Sequence, residues 1–259
     1  MKRILMIFMC AIMVFGITGC GSKKDGESKT KKVLDTFATD DWKTIVENVK
    51  AGKTYKVGDT KEIDMGSLGK HTIRVANNST PDECKKDGYS QTACGFVLEF
   101  ADIITEHNMN STSTNVGGWK DSEMRKYVNS DILSALPTEL KNTIIDTTVV
   151  SGHGSYDSEN FTTTDKLYLL SSVEVWGYPY DDTVTTDSTR QLDYYKDLSV
   201  TKDNYSGAIK KFDNSESYWW LRSADSYSAN SFNSVYNDGG RSIDGAYTTH
   251  EVAPAFRIG

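Results

Sequence analysis

Few side chains in this sequence are placed to do covalent chemistry. Its histidines, His71, His107, His153 and His250, are scattered, and none stands in a recognisable nucleophile motif. Covalent catalysis needs a nucleophile with a base beside it. Isolated histidines therefore read as surface or internally satisfied side chains, and no catalytic residue is expected. Among the cysteines, Cys84 and Cys94 bracket the polar stretch Lys85-Lys86-Asp87-Gly88-Tyr89-Ser90, which reads as a loop. They form either a disulfide or two free thiols, and an oxidising compartment favours the disulfide. A metal site is not expected, because no neighbouring histidine or second cysteine pair completes the usual four ligands. No cofactor is implied. What remains is recognition. Between Ser223 and His250 the chain uses Ser, Asn, Tyr, Asp, Gly, Ala and Thr almost exclusively, with single Phe, Val, Ile and Arg residues. Tyrosine supplies contact area at low entropic cost and Ser, Asn and Gly supply adaptable hydrogen bonds, the chemistry of an antibody paratope. An ordinary polar loop favours the same small residues, so both readings stand at this point.

The compartment is legible at the N-terminus. Lys2 and Arg3 precede an apolar run from Ile4 to Phe15, and Ile17-Thr18-Gly19-Cys20 follows. This order has the charged, apolar and small-residue regions of an export signal, and the run is short of the roughly 20 residues that a membrane span takes. Ile-Thr-Gly-Cys resembles the lipobox of bacterial lipoproteins, which implies that the Cys20 thiol is acylated and the chain is cleaved before it. The alternative is a plain secretory signal with an incidental cysteine. Residues 21–32 contain no apolar side chain and cannot bury enough surface to offset their ordering entropy, so they read as a flexible tether. The expected organisation is a lipoprotein signal peptide over 1–19, a lipidated cysteine and polar tether over 20–39, and one domain over 40–259. The membrane is then a partner through the lipid at Cys20, and the domain lies on the extracytoplasmic side.

The chain carries 29 basic and 36 acidic side chains. Loss of Lys2 and Arg3 with the leader takes the basic count to 27 and the net charge to −9. An acidic domain argues against nucleic acid, which needs a basic footprint.

Periodicity places the elements that must hold any binding surface. Trp42, Ile45, Val46 and Val49 recur at helical spacing behind Asp40 and Asp41, with Gly52 as a stop. Tyr55 to Ile63 and His71 to Val75 read as a hairpin, and Gly95 to Phe100 as a buried strand. Asp121, Ser122 and Glu123 open a helix carrying Met124, Tyr127 and Val128. A second helix is expected from Pro137 to about Ile145, and a core strand over Lys166 to Leu170. Residues 178–213 read as a long polar loop with one short helix.

Two closing motifs are the most specific. Trp219-Trp220-Leu221-Arg222-Ser223, followed by Val252-Ala253-Pro254-Ala255-Phe256-Arg257-Ile258, resembles a bacterial surface domain family of unknown function, number 6273. Tyr55-Lys56-Val57-Gly58-Asp59, Gly117-Gly118-Trp119 and Glu174-Val175-Trp176-Gly177 extend the resemblance over roughly residues 40 to 259. The resemblance implies an α+β, C-type-lectin-like fold, with two helices packed on a twisted, mainly antiparallel sheet with long loops. That fold is shared with formylglycine-generating enzymes and with the variable proteins of diversity-generating retroelements. The former use late cysteines, and here none follows Cys94. The Glu-Pro-Asn, Gln-Pro-Asp and Trp-Asn-Asp triplets of calcium-dependent lectins do not occur. Tyr236-Asn237-Asp238-Gly239 reads as a turn with Gly239 at positive φ.

Aligning the closing segment to the family pattern makes Phe232, Val235, Gly239, Ala246, Val252, Pro254 and Phe256 scaffold positions. Tyr227, Asn230, Asn233, Tyr236, Asn237, Arg241, Asp244 and Tyr247 should then face outward as the ligand-binding set, contacting a protein or a glycan. The resemblance to retroelement variable regions makes active diversification of this segment a further expectation. The runner-up is a structural surface domain without a specific ligand, and an enzyme on the same fold comes third.

Overall fold

A computed structural model describes residues 32–259. Cys20, the expected signal peptide and most of the expected tether lie outside the described residues.

The first described elements are Val33–Leu34 (β1) and Thr54–Tyr55 (β2), paired in parallel around the helix Trp42–Lys50 (α1). Asp41 caps α1, its Oδ1 accepting from Thr44 N at 2.7 Å, and Trp42, Ile45 and Val46 turn inward. Gly52, at φ 75°, ends it. Tyr55 therefore belongs to β2, and the hairpin begins after a turn closed by Asp59 N donating to Lys56 O.

Two sheets hold the rest, and the same two chain segments run through both. The first has the order β10-β17-β5-β4-β3, with β7 also on β17. Its strands are Thr60–Asp64 (β3), Lys70–Asn77 (β4), Val97–Phe100 (β5), Ile144–Ile145 (β7), Leu167–Tyr168 (β10) and Ala255–Ile258 (β17). The second has the order β15-β14-β13-β16-β6. It consists of Thr105–Asn108 (β6), Trp219–Ala224 (β13), Ser231–Val235 (β14), Arg241–Gly245 (β15) and Thr249–Val252 (β16). The neighbours β5 and β17 in the first sheet continue as the neighbours β6 and β16 in the second. At the bend Pro254, which has no N–H to give a ladder, accepts from Phe100 N at 3.0 Å, and Val252 O accepts from Ile104 N at 3.0 Å. Two small ladders, Thr147–Ser151 (β8) with Phe161–Asp165 (β9) and Lys210–Phe212 (β11) with Ser215–Ser217 (β12), complete the strands. Apart from the β1/β2 and β13/β16 pairs, every pairing among the described strands is antiparallel.

The helices are shorter than the sequence pattern implies. The stretch behind Gly117 forms Gly118–Asp121 (α2) and Glu123–Tyr127 (α3), then a π-helical turn over Val128–Ile132 and Leu133–Ala135 (α4). Ser122 caps α3 through Arg125 N at 3.1 Å. The second expected helix is limited to Thr138–Lys141 (α5), because the β-branched pair Ile144-Ile145 is drawn onto β17 instead. The expected core strand narrows to β10, since Leu169 and Leu170 turn their carbonyls to Arg222. Ser172–Trp176 (α6) and Asp193–Asp197 (α7) finish the count among the described residues. The fold is α+β with mainly antiparallel sheets, but with two main sheets, three two-stranded ladders and seven short α segments among the described residues rather than one sheet and two helices.

One contiguous core joins α1, the first sheet, α3, α6 and the second sheet. Cys84 and Cys94 are joined in a disulfide, buried with Tyr89 in a separate small cluster. Closing a loop of this length contributes about 2 to 3 kcal/mol.

Candidate functional site

The scaffold of the C-terminal half is set by β13, whose six residues are all buried. Trp219 and Trp220 point to opposite faces of the strand, as neighbours on a pleat must, and neither reaches solvent. Trp219 Nε1 donates to Ala208 O at 3.1 Å and Trp220 Nε1 to His107 O at 2.9 Å. Arg222 is also fully buried. Its two Nη atoms donate to the Glu174 carboxylate at 2.6 Å each, and the guanidinium also reaches Leu169 O at 2.8 Å and Val150 O at 3.2 Å. Glu174 is a helix-capping residue as well, its Oε2 accepting from Ser171 N at 3.0 Å in a capping box. Desolvation alone would raise the Glu174 pKa, but the Arg222 charge and the hydrogen bonds from Arg222, Thr92 and Ser171 hold it below its ordinary value. The Ser-x-x-Glu spacing was a visible signal for the cap, whereas nothing local pointed to the pairing with Arg222, 48 residues away.

All seven scaffold positions, Phe232, Val235, Gly239, Ala246, Val252, Pro254 and Phe256, are buried. Gly239 takes φ 90° in the turn after β14, and a Cβ there would lie 2.2 Å from Tyr205 O.

The eight outward candidates do not form one surface, because strands alternate. On one face of the β14/β15 ribbon, Ser234 donates to Asp244, and His250 Nε2 lies 3.3 Å from Asp244 Oδ1. His250 stacks on Tyr218, with centroids 5.1 Å apart, and Tyr236 meets Tyr218 edge-on at 4.6 Å. Burial alone would raise the Asp244 pKa, but the neighbouring His250 imidazole and the hydrogen bond from Ser234 bring it below normal. On the other face Asn233 sits opposite Ile243 and is fully buried. Its Nδ2 donates to Ser223 O at 3.2 Å and its Oδ1 accepts from Arg241 Nε at 2.6 Å. Asn233 is therefore a structural residue, contrary to its expected outward position. Arg241 is likewise largely enclosed, paired with Asp181 and Asp225 and lying 5.2 Å from the centroid of the Tyr180 ring.

The loops separate the set again. Tyr236 and Asn237 lie at the β14–β15 turn, while Tyr227, Asn230 and Tyr247 lie at the opposite end, where Ala246 N donates to Asn230 O at 2.8 Å. A five-residue strand at about 3.4 Å per residue puts the two ends roughly 17 Å apart. The Tyr227 end carries the most exposed aromatics of the eight, with Tyr227 at 85% and Tyr247 at 59%.

That end is pre-organised by Asp225 and Asn115, which the sequence pattern did not single out, together with Asn230, which it did. Asp225 Oδ1 accepts from Tyr227 N at 2.9 Å and Ser228 N at 2.8 Å. The buried Asn115 amide nitrogen faces the carbonyls of Asp225, Ser228 and Ser231 at 2.7 to 3.0 Å, and Asn115 N donates to Ala229 O at 2.9 Å. Asn230 Oδ1 accepts from Ser228 Oγ at 2.6 Å and Ser231 Oγ at 3.0 Å. A concavity of about 600 Å³ elsewhere, between α1 and Gly259, takes in none of the eight.

The family model for a domain of unknown function (DUF6273) matches residues 95–259. The chain belongs to this family. The match takes in both halves of the bend, all of the second sheet and Asn115, but not α1 or the β3/β4 hairpin, so it begins later than residue 40. No curated protein and no solved structure matches the chain. Among the described residues no helix is long and apolar enough to cross a membrane.

Proposed function

We propose that this DUF6273 protein is a lipid-anchored, extracytoplasmic recognition module that binds a protein or glycan through the Tyr227/Asn230/Tyr247 end of its second sheet. The observation that carries this reading is a pair of strongly exposed tyrosines on loops whose backbones are tied by Asn115, Asp225 and Asn230. Exposed large aromatics on a rigid frame give contact energy without much ordering cost. A C-type-lectin-like ancestry and diversification of the segment belong to the same proposal, as does attachment through Cys20.

The test uses the purified protein on a glycan array and an array of extracellular proteins. For a partner so found, Tyr227→Ala with Tyr247→Ala should weaken binding by roughly 100-fold or more, with an unchanged melting temperature. Tyr236→Ala, at the far end, should leave affinity within about threefold. Equal losses from the two ends would move the site. No partner on either array, with intact fold, would favour a structural surface domain. In cells, Cys20→Ser should shift the protein from the membrane to the soluble fraction.

A further inference from the structure

Both ring nitrogens of His71 meet an oxygen that can only accept. The ring is enclosed on β4, with Nδ1 2.9 Å from Asp102 Oδ2 and Nε2 2.8 Å from Leu68 O. A carboxylate and a carbonyl offer no proton, so each nitrogen must donate, and only the imidazolium carries two N–H groups. The two contacts join separate segments. Leu68 ends the short helical turn Gly66–Leu68 between β3 and β4, and Asp102 belongs to the bend where β5 passes into β6. Asp102 is itself fixed, its Oδ1 accepting from Thr72 N at 2.9 Å, and Ala101 N donates to Thr72 O at 2.8 Å.

Asp102 is the carboxylate that faces the ring. Its hydrogen bond raises the His71 pKa above the ordinary 6.5 against the opposing effect of burial, and Leu68 O adds to the rise. From β11, Lys210 acts on Asp102 but is itself paired with Glu99 at 2.9 Å. On the hairpin, Lys70 pairs with Glu62 at 2.8 Å and is also drawn by Asp64. Lys211 and Asp213 border the same concavity of about 450 Å³ as His71 and Asp102. From the sheet, Phe100 meets the imidazole edge-on, with centroids 6.2 Å apart.

We propose that His71 is a pH-sensitive latch: as an imidazolium it ties the Gly66–Leu68 turn to the bend between the two sheets, and loss of one proton as pH rises releases the turn. The neutral ring has a single N–H, so one of the two oxygens then faces a nitrogen lone pair, and a polar contact left unmade in an enclosed place is costly. Asp102, the charged and therefore stronger acceptor, keeps the N–H, and Leu68 O loses its donor. The turn is closed within itself, Met65 N donating to Gly69 O at 2.8 Å and Gly66 N to Asp64 Oδ1 at 2.8 Å. It therefore swings free as a unit rather than unfolding. Ser67 and Leu68 wall the concavity on one side and Ile103, Ile104 and Thr105 of the bend on another, so the state of the latch sets how far it opens.

The test is an NMR titration of the His71 ring together with thermal unfolding between about pH 5.5 and pH 9. A histidine whose folded pKa is raised contributes stability that is complete below its unfolded value, 6.5 here, and is lost as pH rises through the folded value. The parent protein is therefore expected to melt roughly 3 °C or more above His71→Gln at about pH 5.5, and to lose that advantage by about pH 9. The backbone amide shifts of residues 66–69 should follow the ring titration in the parent and stay flat in His71→Gln. In Asp102→Asn the ring should titrate at lower pH than in the parent, a readout that stands even if His71→Gln does not fold. A parent ring that titrates at or below 6.5, a melting difference that does not change with pH, or amide shifts of residues 66–69 that ignore the ring would overturn the proposal.

Discussion

Arg222→Ala is expected to cost about 3 to 5 kcal/mol of folding stability, a large share of the roughly 5 to 15 kcal/mol that holds a typical domain together. The loss does not measure the worth of the ion pair. It measures what remains behind: a Glu174 carboxylate that is fully buried, stripped of both its 2.6 Å partners, and still enclosed by Thr92, Thr189 and the α6 N-terminus. The carbonyls of Leu169 and Val150 lose a donor at the same time. Arg222→Lys should also be destabilising, because a point charge cannot reproduce the two-pronged contact. Urea unfolding of Arg222→Ala, Glu174→Ala and the double variant checks the account. The double should cost less than the sum of the singles by about 1 kcal/mol or more. Strict additivity would show that the two side chains act independently.

Glu99→Ala is the second large effect, again about 3 to 5 kcal/mol. Glu99 is fully buried on β5 and pairs at 2.9 Å with both Arg74 and Lys210, while Tyr195 OH donates to it at 2.9 Å. Its removal leaves two cations, both almost without solvent contact, and no anion paired with them. The same geometry sets an acid limit. Desolvation would raise the Glu99 pKa, but the charges of Arg74 and Lys210 outweigh it and bring the group down to about 2. A carboxylate depressed in the folded state adds stability that is complete above its unfolded pKa, 4.5 here, and is lost as pH falls through the folded value. Unfolding free energy should therefore drop between about pH 4.5 and pH 2. In Glu99→Gln, which cannot titrate, that part of the slope should disappear. An identical acid profile in the variant would place the acid-sensitive carboxylates elsewhere.

Much of the secondary structure could be read locally. The α1 helix follows from Asp41 and the spacing of Trp42, Ile45 and Val46, and the strand at β5 follows from the apolar residues Val97, Leu98 and Phe100 on either side of Glu99. The turn at Gly239 follows from residues that tolerate positive φ. The scaffold positions of the closing segment, taken from the family resemblance, are all buried, whereas the apolar Ile243 between them is exposed. Helix lengths could not be read locally, since Ile144-Ile145 is compatible with either element and β17 decides between them.

The candidate site divides along the same line. Composition alone marks residues 223–250 as a segment rich in recognition side chains, while the β14/β15 register, a tertiary feature, sends Asn233 and Asp244 to opposite faces. Which face is covered, and what covers it, is a tertiary matter. Asp181, in a loop 60 residues upstream, draws Arg241 inward, and Asn115, more than a hundred residues upstream, fixes the loop that carries Tyr227. Local sequence determines which conformations and side chains a segment can offer. Long-range pairing decides which of them stay in water, because an Arg or Asn is exposed or enclosed according to partners that neither its neighbours nor its spacing can name.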